Sequence, residues 1–229
     1  MSDAVRPACE VRRPGRVAYG DALRLQEELV AQRQRGEIDD TLLLLEHPRV
    51  LTLGRNTKTE NLLLDEESLQ ARGYQVFSAG RGGDVTYHGP GQLVAYPVLL
   101  LEGTERDAHD YLRRLEQVLI DTLAEFDVQA RQHPPHTGVW VDHEGVPKKI
   151  AAIGVRLSRW VTSHGFALNV DCDLSDFEVI VPCGISEYGV TSIAELLGQA
   201  PALPELGDRV QEHFGRVFGR RMTTFAELR

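Results

Sequence analysis

Thirteen residues, RGGDVTYHGPGQL from Arg81 to Leu93, lie directly between two apolar runs and contain four glycines, a proline, an arginine, an aspartate and a histidine. A flexible linker has no use for the arginine, the aspartate or the histidine. A glycine-rich loop, whose backbone and few polar side chains come close to a ligand, uses all of them. The stretch constrains the fold as well, because it must turn the chain between the strand-like YQVFSAG (Tyr74 to Gly80) and the strand-like GQLVAYPVLLL (Gly91 to Leu101).

Around this loop the periodicity alternates between helix and strand. YGDALRLQEELVAQRQRGE reads as an amphipathic helix with Asp21 as N-cap, Ala22, Leu25 and Leu29 on one face, and Gly36 as its stop. TLLLLEH (Thr41 to His47) reads as a strand buried on both faces, with VLTLG (Val50 to Gly54) as its continuation after Pro48. Asp65 to Arg72 is a short helix closed by Gly73, and Pro97 marks its strand as an edge or a bulge. Leu112, Leu115, Leu119, Leu123 and Phe126 recur at helical spacing. Three strands follow at 138–142, 148–158 and 161–170, with separators short enough for hairpins. Ser192 and Glu195 have the spacing of a capping box, a helix covers about 205–218, and MTTFAEL ends the chain as a strand. There is no repeat and no composition shift, so one domain over 1–229 is expected, with 1–16 disordered. The fold class is α/β (α+β), with a mixed, largely antiparallel sheet and flanking helices.

Composition removes several function classes. A net charge of −9 and a pI near 5.4 speak against nucleic acid as a partner. No apolar run reaches the length of a membrane span, and the polar start lacks the apolar region of a secretory signal, so the expected location is cytoplasmic, with no membrane partner. Cys9, Cys172 and Cys183 are odd in number and form no CxxC pair, which argues against structural disulfides. His133, His136 and His143 invite a metal reading, but HPPH is an extended stretch without a thiolate or carboxylate at finger-like spacing, so no metal is expected.

For chemistry, Cys183 in PCGI sits on a turn, whereas Cys172 in NVDCDLSD lies among carboxylates that raise a thiol pKa. A thiol nucleophile needs a base or cation beside it. Lys149, at the head of the apolar KIAAIGV, can serve, and His88 is a third candidate; the bland readings are a buried cysteine, an exposed lysine pair with Lys148, and a loop-bracing histidine.

RGGDVTYHGPGQL, then KKIAAIG with HGFALNV, then PCGI resemble, in that order, the octanoyltransferase family of lipoate biosynthesis, over most of Arg81 to Leu197. The resemblance implies a fold like that of biotin and lipoate protein ligases and no cofactor. It implies transfer of an octanoyl group from octanoyl-acyl carrier protein to a lysine of apo lipoyl domains, those of 2-oxoacid dehydrogenase complexes and the glycine cleavage protein. Cys183 takes the place of the acyl-thioester nucleophile and Lys149 that of the lysine that lowers the thiol pKa. The substrate segments carry over as Arg81, Gly82, Gly83, Asp84, Val85, Thr86, Tyr87 and His88, then Ala152, Ile153 and Gly154, then Gly165, Phe166 and Ala167. Gly82, Gly83, Gly154 and Gly165 are expected to leave room for the acyl chain, and a basic rim with Arg156 and Arg159 to meet the acidic carrier.

Two other readings fit the same scaffold: an ATP-dependent lipoate or biotin ligase, and a non-catalytic module that binds acyl carriers or lipoyl domains. Only the transferase needs Cys183 as an acyl acceptor. Cys183→Ser is expected to abolish ATP-independent octanoylation of a lipoyl domain, measured by the mass of the domain; a ligase variant would keep its ATP-dependent activity.

Overall fold

The computed structural model describes residues 6–181 and 188–225. Along the chain the strands are β1 (Ala8–Arg16), β2 (Asp40–Glu46), β3 (Val50–Leu53), β4 (Gln75–Ser78), β5 (Thr86–His88), β6 (Gln92–Val98), β7 (Ala130–His133), β8 (His136–His143), β9 (Val146–Ser158), β10 (Val161–Asn169) and β11 (Arg221–Thr224). The helices are α1 (Tyr19–Arg35), α2 (Glu66–Ala71), α3 (Ala108–Ala124), α4 (Ile193–Leu197) and α5 (Leu203–Val217). Eight strands form one sheet in the order β11-β1-β2-β6-β10-β9-β8-β7, and β4-β3-β5 form a second. In the large sheet only β11 with β1 and β1 with β2 run parallel; the other pairs are antiparallel, as expected of a mixed, largely antiparallel sheet.

Helices cover both faces. Leu115, Val118 and Leu119 of α3 and Val210 and Phe214 of α5 pack with Val139, Ile150 and Phe166 in the principal core. On the opposite face Ala22 and Leu29 of α1 pack with Leu43, Val94 and Ala167. Capping follows the local chemistry. The Asp107 carboxylate accepts from the His109 and Asp110 amides at the start of α3, Gly36 closes α1 at φ +72°, and Ser192 Oγ accepts from Glu195 N at the start of α4.

Several expectations are corrected. Residues 8–16, read as disordered, form β1; Pro14 is tolerated because the register with β2 shifts between Arg12 and Gly15. VLTLG does not continue β2. The turn at His47–Arg49 sends it into the second sheet, between β4 and β5. Asp21 is not the cap of α1, which opens two residues earlier at Tyr19, and Asp21 instead pairs with Arg24 within the first turn. Of the two readings of Pro97, edge or bulge, the edge is excluded, because β6 lies between β2 and β10. The β6 ladder with β10 stops at Ala95, and opposite Pro97 the residue His164 adopts φ +55° and gives its N–H to Gln26 Oε1 at 2.7 Å.

One buried charge ties these layers together. Asp40 accepts from Arg33 Nε of α1 at 2.8 Å, from the Leu100 amide at 3.0 Å and from Arg220 Nε at 2.8 Å, and Arg220 also bonds Glu105 and the Phe218 carbonyl. Asp40 and Arg220 are both buried. Removing one partner strands the other charge in a dry interior. Asp40→Ala is therefore expected to lower unfolding stability by about 3–5 kcal/mol in urea titration.

Candidate active site

The two sheets meet around a cavity of about 530 Å³. Its walls come from the loop before β5, from β5 itself, and from the facing strands β9 and β10. Arg81, Gly83, Asp84, Thr86, His88, Lys149, Ala152, Ile153, Gly154, Gly165, Phe166 and Ala167 all line it. Gly82, Val85 and Tyr87 do not. The two-residue period of β5 turns Thr86 and His88 towards the cavity and sends Val85 and Tyr87 into the small core, where the Tyr74 and Tyr87 hydroxyls both donate to buried Asp176.

Lys149 reaches the cavity because β9 carries one extra residue. Val139 pairs with Ala151 and the next residue, Trp140, with Lys149, so Ile150 is left over as a bulge. Beyond it Ala151, Ile153, Val155 and Leu157 turn to the principal core, while Ala152 and Gly154 face the cavity. Ile153 borders the cavity, although its side chain packs with the core. A regular strand would put Lys149 on the core side, with residues 151 and 153. The bulge reverses that parity and brings Lys149, 7% exposed, to the cavity with Nζ 4.8 Å from the centre of the Trp140 ring.

Other groups hold this irregularity. Fully buried Glu116 of α3 accepts from Gly138 N at 3.0 Å, and Gly138 has φ +123°. A Cβ there would lie 2.7 Å from the Ala151 carbonyl and against the Lys149 side chain. On the other edge the Lys149 amide donates to Gly189 O (2.9 Å) and its carbonyl accepts from Thr191 N (3.0 Å). Lys148, its neighbour, turns outward to Glu195.

Loop 81–84 is folded around its own arginine. The Arg81 guanidinium donates to Thr52 O, Thr52 Oγ1, Gly82 O and Asp84 O at 2.7–3.0 Å. A Cβ on Gly154 would meet Arg81 Cδ at 3.0 Å, and one on Gly165 would meet Ala95 O at 2.2 Å. At those two positions a side chain would collide with the protein's own loop and strand, which requires glycine whatever the cavity holds.

The cavity also borrows residues absent from the sequence reading, notably Tyr19, Asn61, Tyr96 and His164. His164 opens the matched segment HGFALNV, so a histidine ahead of an apolar run was the available signal; Tyr19 and Tyr96 look like ordinary core aromatics. Hydrogen bonds set the histidine tautomers. His47 Nδ1 donates to Val17 O, so its Nε2 accepts from the Tyr96 hydroxyl at 2.7 Å. Asn169 donates to Thr191 O, Gln92 Nε2 to Asn169 Oδ1, and His88 Nδ1 to Gln92 Oε1, which leaves His88 Nε2 as an acceptor. Burial holds all three imidazoles neutral: His47 and His88 are shifted below the usual range, His88 also by the positive charge of Arg81, and His164 falls to about 4 through burial and then Arg81 and Arg156.

Of the thiols, Cys9 and Cys172 are buried and kept protonated, Cys172 pushed up to about 12 chiefly by burial and further by Asp176. Cys183 lies outside the described residues. His133 and His136 stack near Trp140 and Tyr188, and among the described residues no group of three or more His, Cys, Asp or Glu is set to hold a metal ion.

Residues 18–215 match the family model of the lipoyl protein ligase A/B catalytic domain. An octanoyltransferase from Solibacter usitatus is 53% identical over 220 residues, covering 96% of this chain and 97% of that protein. The chain belongs to the octanoyltransferase family. Members of this family are acyltransferases by name, and the fold agrees with more distant structures. Lipoate-protein ligase A bound with ATP superposes with a TM-score of 0.73 at 16% identity, over 97% of this chain and 90% of that one. Biotin protein ligase from Aquifex aeolicus gives 0.52 at 14% identity, over 92% and 69%. No helix among the described residues is long and apolar enough to cross a membrane.

The depressed His164 pKa has a consequence for stability. The unfolded chain takes up this proton near pH 6.5, but the folded chain refuses it until about pH 4. Stability present above pH 6.5 is thus lost as pH falls through that window, by about 3 kcal/mol for this residue. His164→Asn is expected to flatten the pH dependence of urea unfolding between those limits; an unchanged profile would contradict a buried neutral imidazole.

Proposed function

We propose that this octanoyltransferase-family chain moves an octanoyl group from octanoyl-acyl carrier protein to a specific lysine of apo lipoyl domains, through a thioester on Cys183. The acceptors are the lipoyl domains of 2-oxoacid dehydrogenase complexes and the glycine cleavage protein, and residues 1–229 act as one catalytic domain in the cytoplasm. The observation that carries the reading is the position of Lys149: its buried side chain borders the cavity while its backbone anchors residues 189–191. The other flank of the 182–187 segment is anchored nearby, since Val181 N donates to the carbonyl of Asn61, a cavity residue. Both described flanks of the segment that contains Cys183 are thus tied beside the same cavity.

In the first half-reaction the Lys149 amine takes the thiol proton of Cys183, and the thiolate attacks the donor carbonyl. A new S–C bond forms, the carrier S–C bond breaks, and the carrier thiol leaves with the proton returned from Lys149. In the second, the target lysine's neutral amine attacks the acyl-cysteine, its proton passes to Lys149, and Cys183 leaves as thiolate and recovers that proton. One thioester replaces another, so no nucleotide is consumed. The neutral imidazoles and tyrosines of the cavity keep fixed charge away from an apolar chain, whose burial contributes about 0.8 kcal/mol per methylene.

Lys149→Met is expected to slow both half-reactions by about 10²–10⁴-fold, with initial rates that give parallel double-reciprocal lines for donor and acceptor in the unaltered protein. The measurement is octanoylation of an apo lipoyl domain, read by mass, without ATP. Dependence on ATP, or a Lys149→Met variant at nearly full rate, would contradict the mechanism.

A further inference from the structure

Two exposed arginines flank the glycine-rich loop next to the cavity, Arg55 directly before the lining residue Asn56 and Arg156 two residues after the lining residue Gly154. Arg55 follows β3; its amide donates to Arg81 O (3.0 Å) and its Nε to Gly80 O (3.1 Å). Arg156 lies near the end of β9, directly after Val155, whose carbonyl accepts from Gly82 N (2.9 Å). Its Nη1 comes within 3.5 Å of where a Cβ on Gly80 would stand. The two guanidinium groups therefore converge on Gly80, one residue ahead of Arg81. Gly80 has φ +63°, a conformation that keeps a side chain away from the space between them.

Neither arginine has an acidic partner among the described residues. Arg33, Arg49, Arg113, Arg131, Arg216 and Arg220, by contrast, sit in ion pairs. Two neighbouring cations left without a counter-charge in a protein of net charge −9 form a local positive field facing an anion. Arg156 is close enough to the interior for its charge to help hold the proton off His164. Arg159, expected beside it, lies in the β9–β10 turn and donates to Gln34 Oε1 of α1.

The geometry points to an anion site formed by Arg55 and Arg156 around Gly80, which takes the phosphate diester of the acyl donor's pantetheine arm; this rests on the carrier-thioester reading above. Arginine forks suit phosphate oxygens. The bulge at Ile150 puts Lys149 and Arg156 on the same face of β9, and at roughly 3.3 Å per residue they lie about 20 Å apart along the strand. An extended pantetheine arm covers that span, with the thioester at the Lys149 end and the phosphate at the mouth.

The test compares pantetheine 4′-phosphate with pantetheine, binding each by calorimetry to the full chain and to the Arg55→Gln/Arg156→Gln double variant. The unaltered protein is expected to bind the phosphate form about tenfold tighter, a difference that disappears in the double variant. In turnover, the double variant is expected to raise KM about tenfold for octanoyl-phosphopantetheine and for the octanoyl carrier, and to leave octanoyl-pantetheine unchanged. Equal binding of the two small molecules by the unaltered protein overturns the proposal. So does a loss confined to the carrier, which would assign the arginines to its carboxylates. If no donor is turned over, the acyl-transfer reading fails, and the calorimetric comparison still decides the anion site.

Discussion

The extra residue at Ile150 is the constraint on which the site depends. A strand alternates its side chains, so a single unpaired residue exchanges the two faces for everything on one side of it. With the bulge, Lys149 shares the cavity face with Ala152 and Gly154; without it, a lysine would enter the core between the sheet and α3. The structure supports this irregularity from three directions. Glu116 holds the Gly138 amide, Gly138 supplies a backbone conformation and a vacancy that other residues do not offer, and residues 189–191 bond both sides of the Lys149 peptide. Glu116 is a buried carboxylate in a helix otherwise given to apolar packing, which makes sense only through this contact with β8 and with Arg113.

The second feature is a cluster of ionisable tyrosines and histidines at the cavity that carry little charge. Tyr19, His88, Tyr96 and His164 line the cavity and cluster with His47 at 5.3–6.3 Å between ring centres. Burial shifts each away from its charged form, so the cluster offers hydrogen-bonding edges without isolated ions. The charged groups that line the cavity lie around this cluster: Arg81, which is spent on backbone carbonyls and Thr52, with Lys58, Glu60, Asp84 and Lys149.

Much of this was legible in the sequence where one local rule acted alone. α3 followed from its leucine spacing, the end of α1 from Gly36, and the β8-β9-β10 meander from short polar separators. The failures share a different cause, since each depends on a partner distant in the chain. Arg12, Arg13, Pro14 and Arg16 look like a disordered tail until β2 and β11 supply ladders for β1. Pro97 looks like an edge or a bulge residue, and the interior position is explained only when His164 leaves the ladder opposite it. The bulge could not be read, because IAAIGV is apolar on both faces and shows no alternation to break. The resemblance offers the candidate segments as contiguous blocks; strand geometry divides them, turning Val85 and Tyr87 away from the cavity, which Tyr96 and His164 line as well.

The central claim is that a thiol in this chain accepts the acyl group before the lipoyl domain does. Intact-protein mass spectrometry after mixing the protein with octanoyl-acyl carrier protein, without ATP or acceptor, tests it most directly. The account predicts a hydroxylamine-labile octanoyl adduct that is absent from Cys183→Ser and is discharged when an apo lipoyl domain is added. Transfer to the lipoyl domain with no adduct ever formed on the protein, or only in the presence of ATP, would contradict it.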